Sequence, residues 1–169
     1  MGIKSKEVVI VRAIRTPIGK YKGSLKNIRS DQLGSIVIKE VLKKSKFTHE
    51  EIDEVIMGQV LTAGTGQNPA RQASINAGIP ISKPAHIINQ VCGSGLRAVI
   101  SGYQSIKLGQ FNNVISGGQE SMSLAPHSIF YRDEKKISED KLLDTMINDG
   151  LIDAFNNYHM GVTAENVAK

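Results

Sequence analysis

A single cysteine among 169 residues cannot close an intrachain disulfide, so the core has to hold without a covalent staple. Tryptophan is absent and aromatic residues amount to only 5%, which argues against a binding surface built on stacked rings. No apolar run approaches the ~20 residues of a membrane-spanning helix. The opening Met1-Gly-Ile-Lys-Ser-Lys6 lacks the charged, apolar, small-residue order of a secretory signal. It also fails as a myristoylation signal, because Lys6 stands where Ser or Thr is needed. No cysteine or histidine spacing matches a zinc site, and no RNA-recognition motif occurs. These absences imply no metal, no nucleic-acid partner, no membrane partner and a cytoplasmic location.

What is present describes an ordinary globular composition. Hydrophobic residues make up 40% and charged residues 22%, and the length suits one domain with a sizeable core. Glycine is plentiful at 16, which suits tight backbone turns. Lys and Arg number 21 against 16 Asp and Glu, a net charge of +5. The excess gathers at the amino end, where Lys4, Lys6, Arg12, Arg15, Lys20, Lys22, Lys26 and Arg29 are opposed only by Glu7. Such a cluster can meet nucleic acid, an anionic membrane or a phosphorylated ligand. With no recognition motif beside it, the cluster reads as a solvated edge.

Apolar patterning alternates strands with helices. Glu7 to Ala13 reads as a buried strand, with Val8, Val9, Ile10 and Val11 in one short apolar run. Arg15-Thr-Pro-Ile-Gly19 opens a loop. Ser30 is placed to cap a helix over Asp31 to Lys44, with Leu33, Ile36, Val37 and Val41 on one face. Thr48 and Glu51 have capping-box spacing at a short helical turn. Asp53 to Val60 reads as a second strand. Asn68 before Pro69 starts a helix over Ala70 to Ala77. Ala85 to Val91 is a third strand and Asn113 to Ser116 a fourth. Between them, Gly93 to Leu108 is a long helix with Leu96, Val99, Ile100, Tyr103 and Ile106 at helical spacing. The sum is an α/β domain with a largely parallel sheet over residues 1–123. From Leu124 to Ser138 the chain turns loop-like and polar, and Lys141 to Asn148 has a helical pattern. Patterning persists to Lys169, which suggests a truncated domain.

Cys92 sits where the third strand passes into the long helix, within Ile87-Ile-Asn-Gln-Val-Cys-Gly-Ser-Gly-Leu96. A side chain at such a junction is exposed at the carboxyl edge of a parallel sheet, where α/β ligands bind. It faces the positive end of a helix dipole, which stabilises a thiolate. Gly93 and Gly95 permit a sharp turn and close approach of a substrate. Backbone N–H groups of Cys92 and its neighbours are placed to receive an oxyanion. A lone cysteine is more often a small buried hydrophobe, and a glycine-rich strand-to-helix turn can instead cradle phosphate. Gly-Ser-Gly, however, matches neither a Walker loop nor the dinucleotide fingerprint. The strand–Cys–glycine–helix context favours a nucleophile of the elbow type.

Asn89, Cys92, Gly93, Ser94, Gly95, Leu96, Ala98, Val99 and Ile106 resemble the acyl-enzyme signature of thiolases. Further segments resemble the same family in the same order: Arg15-Thr-Pro-Ile-Gly19 and Gly66-Gln-Asn-Pro-Ala-Arg-Gln-Ala73. Gly117-Gly-Gln-Glu-Ser-Met-Ser123 is similar to the family's Gly-Gly-Met-Glu-Ser-Met-Ser, with Gln119 in place of Met. Gly150-Leu-Ile-Asp-Ala-Phe155 and His159-Met-Gly161 resemble the start of the family's coenzyme A-binding loop domain, which would assign residues 124–169 to it.

The resemblance implies the N-terminal half of the thiolase fold, a βαβαβαβ arrangement on a mixed, mainly parallel sheet, followed by the beginning of the loop domain. It implies an acetyl-CoA acetyltransferase resembling the bacterial biosynthetic acetoacetyl-CoA thiolases. Cys92 would accept the acetyl group, Leu151 and His159 would lie near the coenzyme A arm, and Met160 by the acyl pocket. Acetyl-CoA and coenzyme A would be substrates with no separate cofactor, and the full-length protein would be a homo-oligomer. The family draws its activating histidine, an asparagine and a second cysteine from its second half. Their motifs, Gly-His-Pro, Asn-Glu-Ala-Phe and a cysteine before a glycine run, do not occur in this sequence. Two readings follow: an acetyltransferase portion that needs its missing C-terminal half, or an inactive remnant. A third, a ketoacyl or hydroxymethylglutaryl-CoA synthase, is disfavoured by Val91-Cys-Gly-Ser-Gly95 and His159-Met-Gly161. His49, His86 and His127 receive no role.

Overall fold

A three-stranded parallel sheet forms the centre of the structure, a computed structural model that describes residues 7–132 and 142–169. Strand β1 (Glu54–Gly58) lies between β2 (Ala85–Ile88) and β3 (Val114–Gly118). Val55 stands opposite Ala85 on one side and Ile115 on the other. With partners on both sides, all five residues of β1 are buried, as the run Val55-Ile-Met57 requires of a central parallel strand. Helix α1 (Ser30–Ser45) precedes β1, α2 (Pro69–Asn76) joins β1 to β2, and α3 (Ser94–Lys107) joins β2 to β3.

The two faces of β1 are covered differently. Val55 and Met57 pack with Ile38 and Leu42 of α1, Ala70 and Ala73 of α2 and Ala77 just after it in one apolar core. Glu54 and Gly58, pointing the other way, meet α3. Against the sheet α3 offers only small residues: Ser94, Ala98 and Gly102 are its buried positions, four residues apart. A Cβ on Gly102 would come within 2.3 Å of the Ser116 hydroxyl, so helix and sheet approach too closely for a side chain there. Its large apolar residues therefore face outward. Leu96 is 68% exposed and Tyr103 48%, with Val99 and Ile100 also exposed.

The expected elements appear with shifted ends. Asn68 caps α2, its side chain accepting the Arg71 N–H at 3.1 Å, as the Asn-Pro pair predicts. Arg29 rather than Ser30 precedes α1, and its N–H donates to Gln32 Oε1 at 3.0 Å. Glu51 accepts from the N–H and hydroxyl of Thr48, but the segment is a turn, without a helix. The strand expected over Glu7 to Ala13 does not form. Val9, Ile10 and Val11 are 65%, 78% and 50% exposed, and none of the described strands pairs with them. An apolar run specifies extended backbone, whereas a strand also needs a neighbour to complete its ladder.

The carboxyl-terminal part carries β4 (His127–Ser128), antiparallel to β5 (Leu143–Asp144), then α4 (Thr145–Gly150) and α5 (Met160–Ala168). The helix expected over Lys141 to Asn148 thus begins at Thr145. Asp144 caps it, accepting from the N–H groups of Met146 and Ile147, and Leu143 is strand. Lys141, residues 133–138 of the expected loop, and Lys4 and Lys6 lie outside the described residues. Among those described, no helix is long and apolar enough to cross a membrane.

Two expectations follow. The outward apolar face of α3 should drive self-association, read as concentration-dependent sedimentation that Leu96→Asp with Tyr103→Ser reduces. A monomer at every concentration would contradict it. The second concerns Asp53, which fixes the start of β3 by accepting from the N–H groups of Asn112 and Asn113, with Lys83 Nζ at 3.6 Å. Burial alone would raise its carboxyl, but the two N–H groups and Lys83 outweigh it and hold it below the ordinary value. A depressed folded value stabilises the fold above the unfolded pKa and is lost as pH falls through the folded one. Asp53→Asn should therefore cost about 1 kcal/mol at neutral pH and flatten the acid limb of a pH–stability curve below 3.8.

Candidate active site

The junction that follows β2 is a tight double turn. Gly93 N–H bonds to the Gln90 carbonyl at 3.0 Å and Ser94 N–H to the Val91 carbonyl at 3.1 Å. Both are engaged inside the turn, so of the N–H groups expected to meet an oxyanion, those of Gly93 and Ser94 are already used. Val91 has φ 46°, a left-handed conformation that β-branched residues seldom take. The Ser94 hydroxyl is buried, accepts from the Gln90 N–H at 2.8 Å and donates to the Val91 carbonyl at 2.6 Å. Asn89 Oδ1 accepts the Val91 N–H at 3.0 Å. Cys92 emerges from this turn exposed, immediately before α3, whose N-cap Gly93 has no side chain to cover the helix end. The helix dipole is thereby open to the thiol.

Cys92 opens on a cleft of about 350 Å³ bounded by Gly58, Val60, Gly95, Gly118 and Glu120. Three glycines close its floor. A Cβ on Gly58 would lie 2.4 Å from the Ser94 carbonyl carbon and 2.5 Å from the Gly95 nitrogen. A Cβ on Gly118 would sit 3.5 Å from both the Gly58 oxygen and the Gly95 Cα. The ends of β1 and β3 therefore touch the first turn of α3 backbone to backbone. Glu120 closes one wall, its carboxylate accepting the Val60 N–H at 2.8 Å and the Leu61 N–H at 3.2 Å. Burial pushes its carboxyl above the ordinary range, and the two N–H groups offset part of that rise. Behind it Gln119, the departure from the thiolase pattern, donates to Gln59 Oε1 at 2.9 Å, and Gln59 donates to the Leu61 carbonyl. Both glutamines are buried, and Gln119 Oε1 has no partner.

Leu151, His159 and Met160 are brought together elsewhere. Met160 N–H bonds to the Leu151 carbonyl at 2.8 Å, and His159 caps α5, its Nδ1 accepting the Gly161 N–H at 2.9 Å. None of the three lines the Cys92 cleft. The sequence reading gave no part to Gly58, Gln59 or Glu120. A glycine ending an apolar strand, and a carboxylate directly after a strand that ends in two glycines, were the signals available.

Fold and site define a parallel α/β protein with an exposed cysteine at a strand-to-helix elbow. The sequence model of the thiolase N-terminal domain matches residues 8–169, and the chain belongs to the thiolase family. It is 54% identical over 162 residues to an acetyl-CoA acetyltransferase of Paracoccus denitrificans, covering 96% of this chain and 41% of that protein. It is 53% identical to the cytosolic acetyl-CoA acetyltransferase of Rattus norvegicus, over 100% of this chain and 43% of the relative. The crystal structure of Acat5 thiolase from Ascaris suum in complex with coenzyme A superposes with a TM-score of 0.85 at 39% identity, over 92% of this chain and 40% of the other. The chain thus spans about two fifths of the length of the relatives it matches.

Gly58→Ala tests the glycine floor. Its methyl meets backbone rather than a movable side chain, so we expect a loss of at least about 2 kcal/mol in denaturant unfolding and slower alkylation of Cys92. Unchanged stability would show that the junction is looser than its distances state.

Proposed function

We propose that this chain is the acyl-accepting part of an acetyl-CoA acetyltransferase, with Cys92 as nucleophile. The exposed position of Cys92 at the start of α3, over an open cleft and within the thiolase signature, is the observation that supports this reading. The Cys92 sulfur bonds to the acetyl carbonyl carbon of acetyl-CoA, the carbon–sulfur bond to coenzyme A breaks, and coenzyme A leaves with the proton that Cys92 gave up. In the second half-reaction another acetyl-CoA loses its α-proton to a base, the carbanion bonds to the acetyl carbonyl carbon, and the carbon–sulfur bond to Cys92 breaks, releasing the Cys92 thiolate, which regains a proton. The product is acetoacetyl-CoA, and the reverse direction cleaves it.

Coenzyme A is a substrate in this scheme and no separate cofactor is required. Residues 124–169 begin the coenzyme A-binding loop domain. Leu151 and His159 contact the coenzyme A arm and Met160 the acyl pocket, once the loop domain is completed. A cytosolic location and a homo-oligomeric whole protein complete the proposal, supported by the cytosolic relative and by the outward apolar face of α3.

The chain has one cysteine, so a second thiol acting as base must come from outside it. Abstraction of a weakly acidic α-proton needs a positioned base, a contribution on the order of 10²-fold or more. We therefore expect slow, stoichiometric acetylation of Cys92 by acetyl-CoA, seen by intact mass and absent in Cys92→Ser. We expect no detectable loss of acetoacetyl-CoA with free coenzyme A. Acetylation that persists in Cys92→Ser would overturn the nucleophile assignment, and robust turnover by the chain alone would overturn the division of labour.

A further inference from the structure

We infer that Ser94 and Asn89 are positioning residues for Cys92, acting through the left-handed backbone of Val91. This rests on Cys92 being the reactive thiol. Valine at φ 46° is held against its own preference, because the branched Cβ crowds the backbone there. Both polar backbone groups of Val91 are tied down: its N–H by Asn89 Oδ1 and its carbonyl by the Ser94 hydroxyl at 2.6 Å together with the Ser94 N–H at 3.1 Å.

Neither tie is free to rotate away. The Ser94 oxygen accepts from the Gln90 N–H, so its proton is directed to the Val91 carbonyl. The Asn89 amide nitrogen donates to the Val60 carbonyl at 3.4 Å, which turns its oxygen toward the Val91 N–H. Val60 is itself fixed by Glu120. Ser94 is also the first residue of α3, so the same hydroxyl joins the elbow to the helix whose dipole Cys92 faces. Released from these bonds, Val91 relaxes toward extended backbone and Cys92 swings off the helix end.

The test is the rate of iodoacetamide alkylation of the 169-residue chain, folded and in denaturant, at one pH. Ser94→Ala and Asn89→Ala should each slow the folded rate on the order of tenfold, the population shift expected when a strained residue is released, with the circular dichroism of the fold retained. Adding Val91→Gly to either variant should restore the rate, because glycine holds the left-handed conformation without the clamp. A residue that merely stabilised the fold would show no such rescue. Unchanged rates in both single variants, or no rescue by Val91→Gly, overturn the inference. If Ser94→Ala unfolds, Asn89→Ala decides, since Asn89 is exposed. A wild type that reacts no faster folded than in denaturant overturns the nucleophile reading and this inference together. A fast wild type with unaltered variants overturns only the inference.

Discussion

At the carboxyl end of the sheet three segments approach until backbone meets backbone, and the site depends on that contact. At the tightest point a Cβ on Gly58 would lie 2.4 Å from the Ser94 carbonyl carbon, while Gly95 and Gly118 line the same contact with little space to spare. The contact sets the height of α3 over β1 and β3. That height in turn requires small residues along the inner face of α3, where Ser94, Ala98 and Gly102 stand. A helix lying this low presents its first turn, and the Cys92 just before it, directly beside the strand ends. A larger residue at Gly58 would lift the helix, open the floor of the cleft and carry the thiol away from Glu120 and Val60.

Much of this was legible from residue order. The existence of strand β1 follows from its apolar residues, and the start of α2 from Asn68-Pro69, because both signals are local. The exposed elbow position of Cys92 was legible because the cysteine stands, followed by Gly93 and Gly95, between an apolar run and a helical pattern. The failed strand at Glu7 to Ala13 shows where local signals stop, since its apolar run says nothing about a pairing partner. The clamp on Val91 was equally hidden. Asn89 and Ser94 stood within a recognised signature, but their roles depend on side-chain rotamers that only the folded turn fixes. Gln119 was visible as a departure, whereas its partner Gln59, 60 residues away, was not.

The direction of the large residues on α3 is the other consequence of close packing. A helix whose buried stripe is small carries its hydrophobic surface on the opposite side, and Leu96, Val99, Ile100 and Tyr103 are all exposed there. Contiguous apolar surface is the kind that interfaces bury. The same helix thus has two functions in the proposed scheme, one end presenting the nucleophile and one face meeting another protein surface. His49, His86 and His127 do not line the Cys92 cleft.

The central claim is that this chain supplies a complete nucleophile and lacks only the groups that activate and deprotonate. Mixing it with the separately produced remainder of the Paracoccus denitrificans relative, and following thiolysis of acetoacetyl-CoA, tests that claim most directly. The account predicts turnover that appears only in the mixture and vanishes when the chain carries Cys92→Ser. A stable complex without turnover, or turnover that survives Cys92→Ser, would contradict it.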